Sequence, residues 1–290
     1  MRKLLPILLL FAAVFCAGAQ EPVFHTMNFQ RLERGYYLYV PDSMDIHRPL
    51  VVMLHGYGGS AEGYRPEMVE TARRHGFALC IPDGWPSPRD GRKGWNVRYP
   101  KQEGLETDDV AFIRKLVRKL QREHDLSPDA TFLTGMSNGG EMCYVFAWKS
   151  PKTFRAIASV AGLTMTWLPE ENRLPDARVP FMEIHGTADR TSEWDGDPHG
   201  DGGWGPYMSV PLAVGNIAAM NKCTYCTESM LPLKDSEKPS RQVVLHRYLG
   251  GEGSCETRLY EVVGGKHSWH LDDIDTTEEI WLFFRQYLKN

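Results

Sequence analysis

Short apolar runs of strand length alternate with longer segments of helical period along almost the whole chain. That alternation limits the possible folds more than any other feature. Leu50-Val51-Val52-Met53-Leu54 is apolar at every position, as a strand covered on both faces must be. Residues 36–40, 77–81, 130–134, 156–160, 181–184 and 259–263 read as further strands. Residues 61–74 have helical period. Val110, Ile113, Leu116, Val117 and Leu120 share one helical face after the acidic start Glu106-Thr107-Asp108-Asp109. Another helix follows the strand at 130–134 and runs to Trp148. Residues 277–288 make a closing apolar helix, with Asp275 and Glu278 spaced as a capping box. Strands alternating with helices need crossover connections, so the fold class is α/β, with a mostly parallel central sheet and helices on both faces. The glycine-rich stretch 195–206 interrupts the alternation without adding a strand. No repeat or linker divides residues 20–290, which are expected to form one domain.

The N-terminus has the form of an export signal. Arg2 and Lys3 precede an apolar run from Leu4 to Phe15, and Ala17-Gly18-Ala19 suits cleavage before Gln20. The run is too short for a stable membrane span. Lipid modification of Cys16 is disfavoured by bulky Phe15. With residues 1–19 removed, a secreted or periplasmic protein without stable membrane insertion is expected. A formal net charge of −4 over 290 residues gives no basic footprint for nucleic acid. Cys80 and Cys143 lie in apolar runs and read as buried thiols. Cys223, Cys226 and Cys255 fall in a polar region of an exported chain, where one disulfide is expected, Cys255 pairing with Cys223 or Cys226. The spacing of these three with His246 matches no zinc pattern, and no metal is expected.

The chemistry centres on Gly135-Met136-Ser137-Asn138-Gly139, which stands between a buried strand and a helix. A nucleophile elbow occupies that position. Its turn is so tight that residues two either side of the serine must be glycine, and the serine hydroxyl is pushed out at the carboxyl end of the sheet. A serine nucleophile needs a base and a carboxylate that orients it. Asp189, just past the strand at 181–184, and His267, just past the strand at 259–263, stand at the right strand ends and in the right order. Their rivals Asp195 and His270 lie farther from those ends. His185 precedes a glycine turn and reads as a structural residue bonded to backbone. Two backbone N–H donors are needed for the oxyanion. One is that of Asn138, after the nucleophile. The other is assigned to Tyr57, in the glycine-rich turn His55-Gly56-Tyr57-Gly58-Gly59.

Six ordered motifs carry a family likeness. They are Leu54-His55-Gly56-Tyr57-Gly58-Gly59, Pro82-Asp83-Gly84 with a later Trp95-Asn96, and Asp108-Asp109-Val110-Ala111-Phe112-Ile113. Then come Gly135-Met136-Ser137-Asn138-Gly139-Gly140, His185-Gly186-Thr187-Ala188-Asp189 and Gly264-Gly265-Lys266-His267-Ser268-Trp269. With these the chain resembles the α/β-hydrolase superfamily, and within it the esterases grouped with polyhydroxybutyrate depolymerases and with feruloyl and acetylxylan esterases. The likeness runs from about residue 35 to the C-terminus. It implies the α/β-hydrolase fold, the triad Ser137, Asp189 and His267, and a Cys223–Cys255 disulfide. Lys266 and His270 depart from the residues usual in relatives, and the stretch 194–207 is unusually rich in glycine and tryptophan.

Trp95, Trp194, Trp204 and Trp269 fall in or near loops at the carboxyl end of the sheet, where flat rings suit a phenolic ring or a sugar. The expected activity is two-step acyl transfer without metal or organic cofactor. The expected partner is an ester-substituted plant polysaccharide, with hydroxycinnamoyl esters on xylan first, then acetyl esters, then polyhydroxyalkanoate oligomers. Two other classes use some of the same parts. A prolyl-oligopeptidase-type peptidase normally carries a large extra domain. A non-catalytic carbohydrate-binding relative would lack a triad member.

Overall fold

The computed structural model describes residues 20–63, 65–171, 175, 177–232, 234 and 241–288. The export segment, with Cys16, lies outside the described residues. The strands are β1 (Val23–Phe29), β2 (Leu32–Tyr39), β3 (Leu50–Leu54), β4 (Ala78–Pro82), β5 (Trp85–Pro86), β6 (Lys93–Gly94), β7 (Thr131–Met136), β8 (Ala156–Val160), β9 (Phe181–Gly186), β10 (Tyr225–Leu231), β11 (Gln242–Leu249) and β12 (Thr257–Val263). The α-helices are α1 (Pro66–His75), α2 (Asp109–Glu123), α3 (Asn138–Lys149), α4 (Trp167–Glu171), α5 (Val210–Met220) and α6 (Thr276–Arg285).

Among the described residues ten strands form one sheet in the order β1-β2-β4-β3-β7-β8-β9-β12-β11-β10. The block from β4 to β12 is parallel throughout. Antiparallel pairing adds β2 and β1 at one edge, and β11 and β10 at the other. The expected parallel core is therefore present, within a wider mixed sheet. Of these four, β2 was read from its run at 36–40, while β1, β10 and β11 escape the apolar-run signal because they are only partly covered. In β10 six of seven residues are exposed, so its sequence need not be apolar.

Side-chain alternation along the strands splits the core in two. Leu50, Val52 and Leu54 of β3 pack on one face with Phe112, Ile113 and Leu116 of α2, with α3 and with Ile217 of α5. Val51 and Met53 pack on the other face with Met68 and Ala72 of α1 and with Ile280, Trp281 and Phe284 of α6. Residues 61–74 do not form one helix. A single 3-10 turn at Ala61–Gly63 precedes α1, which starts at Pro66, where fixed φ and a missing N–H suit the first turn. The capping box of α6 is half made. Asp275 accepts from the N–H of Glu278 at 3.3 Å, but Glu278 turns its carboxylate to His75 and Arg74 on α1. The loop 195–206 adds no strand; isolated bridges join Tyr207 to Asp197 and to Met165, Thr166 N donates to Pro206 O at 3.0 Å, and the Asp197 carboxylate accepts from the N–H groups of Gly200, Asp201 and Gly202.

Candidate active site

The carboxyl ends of β3, β7, β9 and β12 converge on one edge of the sheet, where open α/β folds place their sites. At the end of β7 the chain turns into α3 through Ser137, whose φ of 56° and ψ of −123° are strained for a residue with a side chain. The N–H of Ser137 donates to Val160 O at 2.8 Å and its carbonyl accepts from Glu141 N at 2.9 Å. The glycines make this turn possible. A Cβ on Gly135 would stand 2.5 Å from Gly139 O, and one on Gly139 would overlap the Leu54 carbonyl.

After β9, the Asp189 side chain is fully enclosed. Its Oδ1 accepts from Thr191 N at 2.8 Å and Ser192 N at 2.9 Å. Its Oδ2 lies 2.7 Å from Nδ1 of His267, in the loop after β12. A carboxylate can only accept, so this contact puts the ring proton on Nδ1 and leaves Nε2 with a free lone pair. Burial works to raise the Asp189 pKa. The His267 hydrogen bond and charge, with the two N–H donors, outweigh it and hold the carboxyl below its ordinary value. Among the described residues no hydrogen bond joins Ser137 Oγ to the imidazole. His270 is fully buried and faces Asp273 at 3.3 Å instead. Asp195 is exposed.

The N–H groups of Tyr57 and Asn138 have no protein acceptor among the described residues. The turn that carries Tyr57 is braced from below. His55 Nδ1 lies 2.7 Å from Gly56 O, and its Nε2 accepts from Gly84 N at 2.9 Å, which fixes a neutral ring. Trp95 Nε1 donates to His55 O at 2.9 Å. The Asn138 side chain clamps the backbone of Trp95, its Oδ1 accepting from Trp95 N at 2.6 Å and its Nδ2 donating to Trp95 O at 3.1 Å. Asp109 holds the next residue, accepting from Asn96 N at 2.8 Å while paired with Arg34 at 2.9 Å. Most of these braces leave no local mark in a sequence, because their partners are 13 to 75 residues apart in the chain.

The four tryptophans divide. Trp95 is 0% exposed and is a brace, so it cannot stack on a substrate; the expectation for it is corrected. Trp269 is 5% exposed, covered by Arg65. Trp194 packs on His185 and the α5 side of the core. Trp204 is half-buried and joins Tyr57 and Tyr99 in an aromatic cluster, with ring centroids 5.9 and 5.1 Å away. The expected Cys223–Cys255 bond is not formed: both are free, as is Cys226. The Cys223 thiol points at backbone oxygens, 3.3 Å from Tyr248 O and 3.9 Å from Cys255 O. His185 does bond backbone, at 2.8 Å from Ser192 O, but it also meets Glu183 at 2.9 Å, a partner the sequence reading did not include.

Residues 34–168 match the family model described as Esterase PHB depolymerase. NocK of Nocardia uniformis subsp. tsuyamanensis, which carries an esterase name, is 34% identical over 154 residues, covering 51% of this chain and 42% of that protein. Feruloyl esterase C of Emericella nidulans is 27% identical over 171 residues, covering 56% of this chain and 57% of the relative. The chain thus spans about half the length of the curated relatives it matches. Among solved structures, an acetyl xylan esterase from Aspergillus awamori superposes with a TM-score of 0.61 at 15% identity, covering 90% of this chain and 99% of that one. Identity that low speaks for the fold alone. Over residues 34–168 the chain is similar to the Esterase PHB depolymerase family, and the chain as a whole has the α/β-hydrolase fold.

Proposed function

We propose that the protein is an exported serine esterase that cleaves hydroxycinnamoyl esters from plant xylan. The observation that carries the catalytic part is the strained Ser137 turn standing at the same sheet edge as the 2.7 Å Asp189–His267 pair. In this reading His267 takes the Ser137 proton as Oγ attacks the ester carbonyl. Asp189 holds the imidazole and stabilises its cation, and the N–H groups of Asn138 and Tyr57 receive the oxyanion. His267 then protonates the leaving alkoxide and later activates the water that frees the acid. The hydroxycinnamoyl preference is supported by the Tyr57, Tyr99 and Trp204 cluster beside the oxyanion turn and by relatives named feruloyl esterases. Export is supported by the N-terminal sequence. Among the described residues no helix is long and apolar enough to cross a membrane.

The test is the hydrolysis rate of methyl ferulate beside that of p-nitrophenyl acetate, with the Ser137→Ala protein as blank. Ferulate release well above the blank is expected. Acetate release alone would keep the triad and remove the hydroxycinnamoyl assignment.

A further inference from the structure

A cavity of about 570 Å³ opens beside the β1–β2 hairpin and strand β5. Gln30, Arg31, Trp85, Pro88, Leu105 and Glu106 are among its walls. A second cavity of about 430 Å³ shares Gly104 and Leu105 with it, and a third of about 370 Å³ shares Asn96 and Arg98 with the second. The three follow one another along residues 96–109, a run that suits a chain-like ligand better than a compact one.

Neither Ser137 nor His267 lines any of the three. The run still lies at the end of the sheet that carries them. Strand β2 is antiparallel to β4 with Tyr36 opposite Pro82, so the hairpin before β2 stands beyond the carboxyl end of β4. Trp85 pairs with Gly94. A Cβ added to Gly94 would come within 2.7 Å of the Tyr57 ring, so the β5–β6 ribbon meets the groove through Trp85 and the oxyanion turn through Gly94.

The wall carries polar groups that the fold does not use. Trp85 is half-buried, its ring resting on the buried Arg34 guanidinium 5.7 Å from the centroid. Among the described residues its Nε1 has no acceptor, and the exposed Arg31 and Glu106 form no ion pair. Gln30 accepts from Asp108 N at 3.3 Å through Oε1, which leaves its amide N–H groups free. The hairpin is strained as well. Gln30 and Arg31 stand between the paired Phe29 and Leu32 with φ of 50° and 63°. A two-residue turn with both φ positive is ordinarily Asn-Gly, because side chains resist the left-handed region. Two long polar side chains occupy it here, and both line the groove. Strain kept at such a place points to a use.

Arg31 only donates and Glu106 only accepts. A ligand of one charge would gain at one of them and be repelled by the other. A hydroxyl both donates and accepts, so a neutral polyol satisfies the two together. The Trp85 ring adds a flat apolar surface for the C–H face of a pyranose. Trp167, in the third cavity, is covered by Arg98 and Lys149, 4.1 and 4.7 Å from its centroid, and does not offer the same surface.

We propose that the groove is a second, non-catalytic binding site for a neutral oligosaccharide. One pyranose ring lies on Trp85, and neighbouring hydroxyls bond Arg31, Glu106 and the Gln30 amide. No bond is made or broken there, and the assignment stands apart from the esterase reading.

Calorimetry of the native protein with xylohexaose, cellohexaose and mannohexaose reads the site without turnover. At least one should bind, roughly tenfold more weakly in Trp85→Ala, while kcat/KM for p-nitrophenyl acetate stays within about twofold. Gln30→Asn with Arg31→Gly should release the hairpin strain, raising the melting temperature by a few degrees, and should also weaken the sugar. That variant changes exposed residues only, so it decides the question even where Trp85→Ala does not fold. The proposal is overturned if none of the three sugars binds, or if binding is unchanged in both variants. Competition between the sugar and p-nitrophenyl acetate would place it at Ser137 and overturn the proposal too, as would a preference for hexagalacturonate over every neutral sugar. Sugar binding without hydrolysis of any ester would keep the groove and sink the esterase reading alone.

Discussion

His185 is held between two acceptors directly behind the Asp189 carboxylate. Its Nδ1 lies 2.9 Å from Glu183 Oε1, its Nε2 2.8 Å from Ser192 O, and Nε2 is also 3.7 Å from Asp189 Oδ2. A ring whose two nitrogens both face acceptors is held as the imidazolium. Burial works to lower its pKa, but the hydrogen bond and charge of Glu183, then Ser192 O and Asp189, raise it above the ordinary histidine value.

His185→Ala should therefore destabilise the protein by about 3–5 kcal/mol near neutral pH, because Glu183 is left buried without its cation. The sign with pH follows from the raised value. The folded form binds the proton more tightly than the unfolded one, so the ion-pair stabilisation is complete below about 6.5 and is lost as pH rises through the folded pKa. Urea melts at pH 5.5 and pH 9 should show native stability falling toward the higher pH by more than that of His185→Ala.

Arg34 and Asp109 form a second enclosed pair, both side chains at 0% exposure. Burial pushes the Asp109 carboxyl up, opposed by the Arg34 charge and the Asn96 N–H. Asp109→Ala leaves the guanidinium without an anion and should cost about 3–5 kcal/mol. It also frees Asn96, next to the Trp95 backbone that Asn138 clamps. Activity at a temperature where the variant remains folded should therefore fall as well. Thermal denaturation and kcat measured together separate this from a change in stability alone.

The parallel core was legible because β3, β4, β7, β8 and β9 are buried on both faces and so carry short, mainly apolar runs. The candidate site was read from Ser137, Asp189 and His267 because they follow the ends of β7, β9 and β12 and the turn geometry asks for particular neighbours. Where a side chain points was not legible. Trp95 and Trp204 are alike as loop tryptophans in sequence, yet one is sealed beneath Asn138 and the other lies against Tyr57. Nor did the sequence disclose Glu183 as the partner of His185: in a run of buried strand residues a single acid carries no label for what it faces.

Glu141, one turn into α3, is fully buried, and that burial pushes its carboxyl up to about 8. It accepts from the Tyr99 hydroxyl, and Asn138 Nδ2 lies 3.5 Å away. The unfolded carboxyl titrates near 4.3, so between about 4.3 and 8 the folded state holds the proton that the unfolded state has lost, and stability declines as pH rises. Glu141→Gln keeps an acceptor for Tyr99 and removes the titration. Its stability should match that of the native protein near pH 4.5 and exceed it at pH 8 by on the order of a few kcal/mol. Denaturant midpoints at the two pH values test this; a difference that does not grow with pH would mean Glu141 is ionised in the fold.

Asp189→Asn is the sharpest test of the proposed chemistry. Asn can still accept from Thr191 and Ser192 N–H through its carbonyl oxygen, so the loop after β9 should keep its shape. What changes is the partner of His267 Nδ1. An amide nitrogen turned toward the ring favours the tautomer with its proton on Nε2, the wrong one for taking a proton from Ser137, and it gives the imidazolium no counter-charge. The expected loss in kcat is roughly 10³–10⁴-fold with KM little changed. Native Asp189, held below the ordinary carboxyl range, contributes its stabilisation above about pH 3.9 and loses it as pH falls through its folded value. The variant should therefore lose less stability than the native protein between pH 5 and pH 3. A kcat within tenfold of native would remove Asp189 from the mechanism and return Asp195 to consideration.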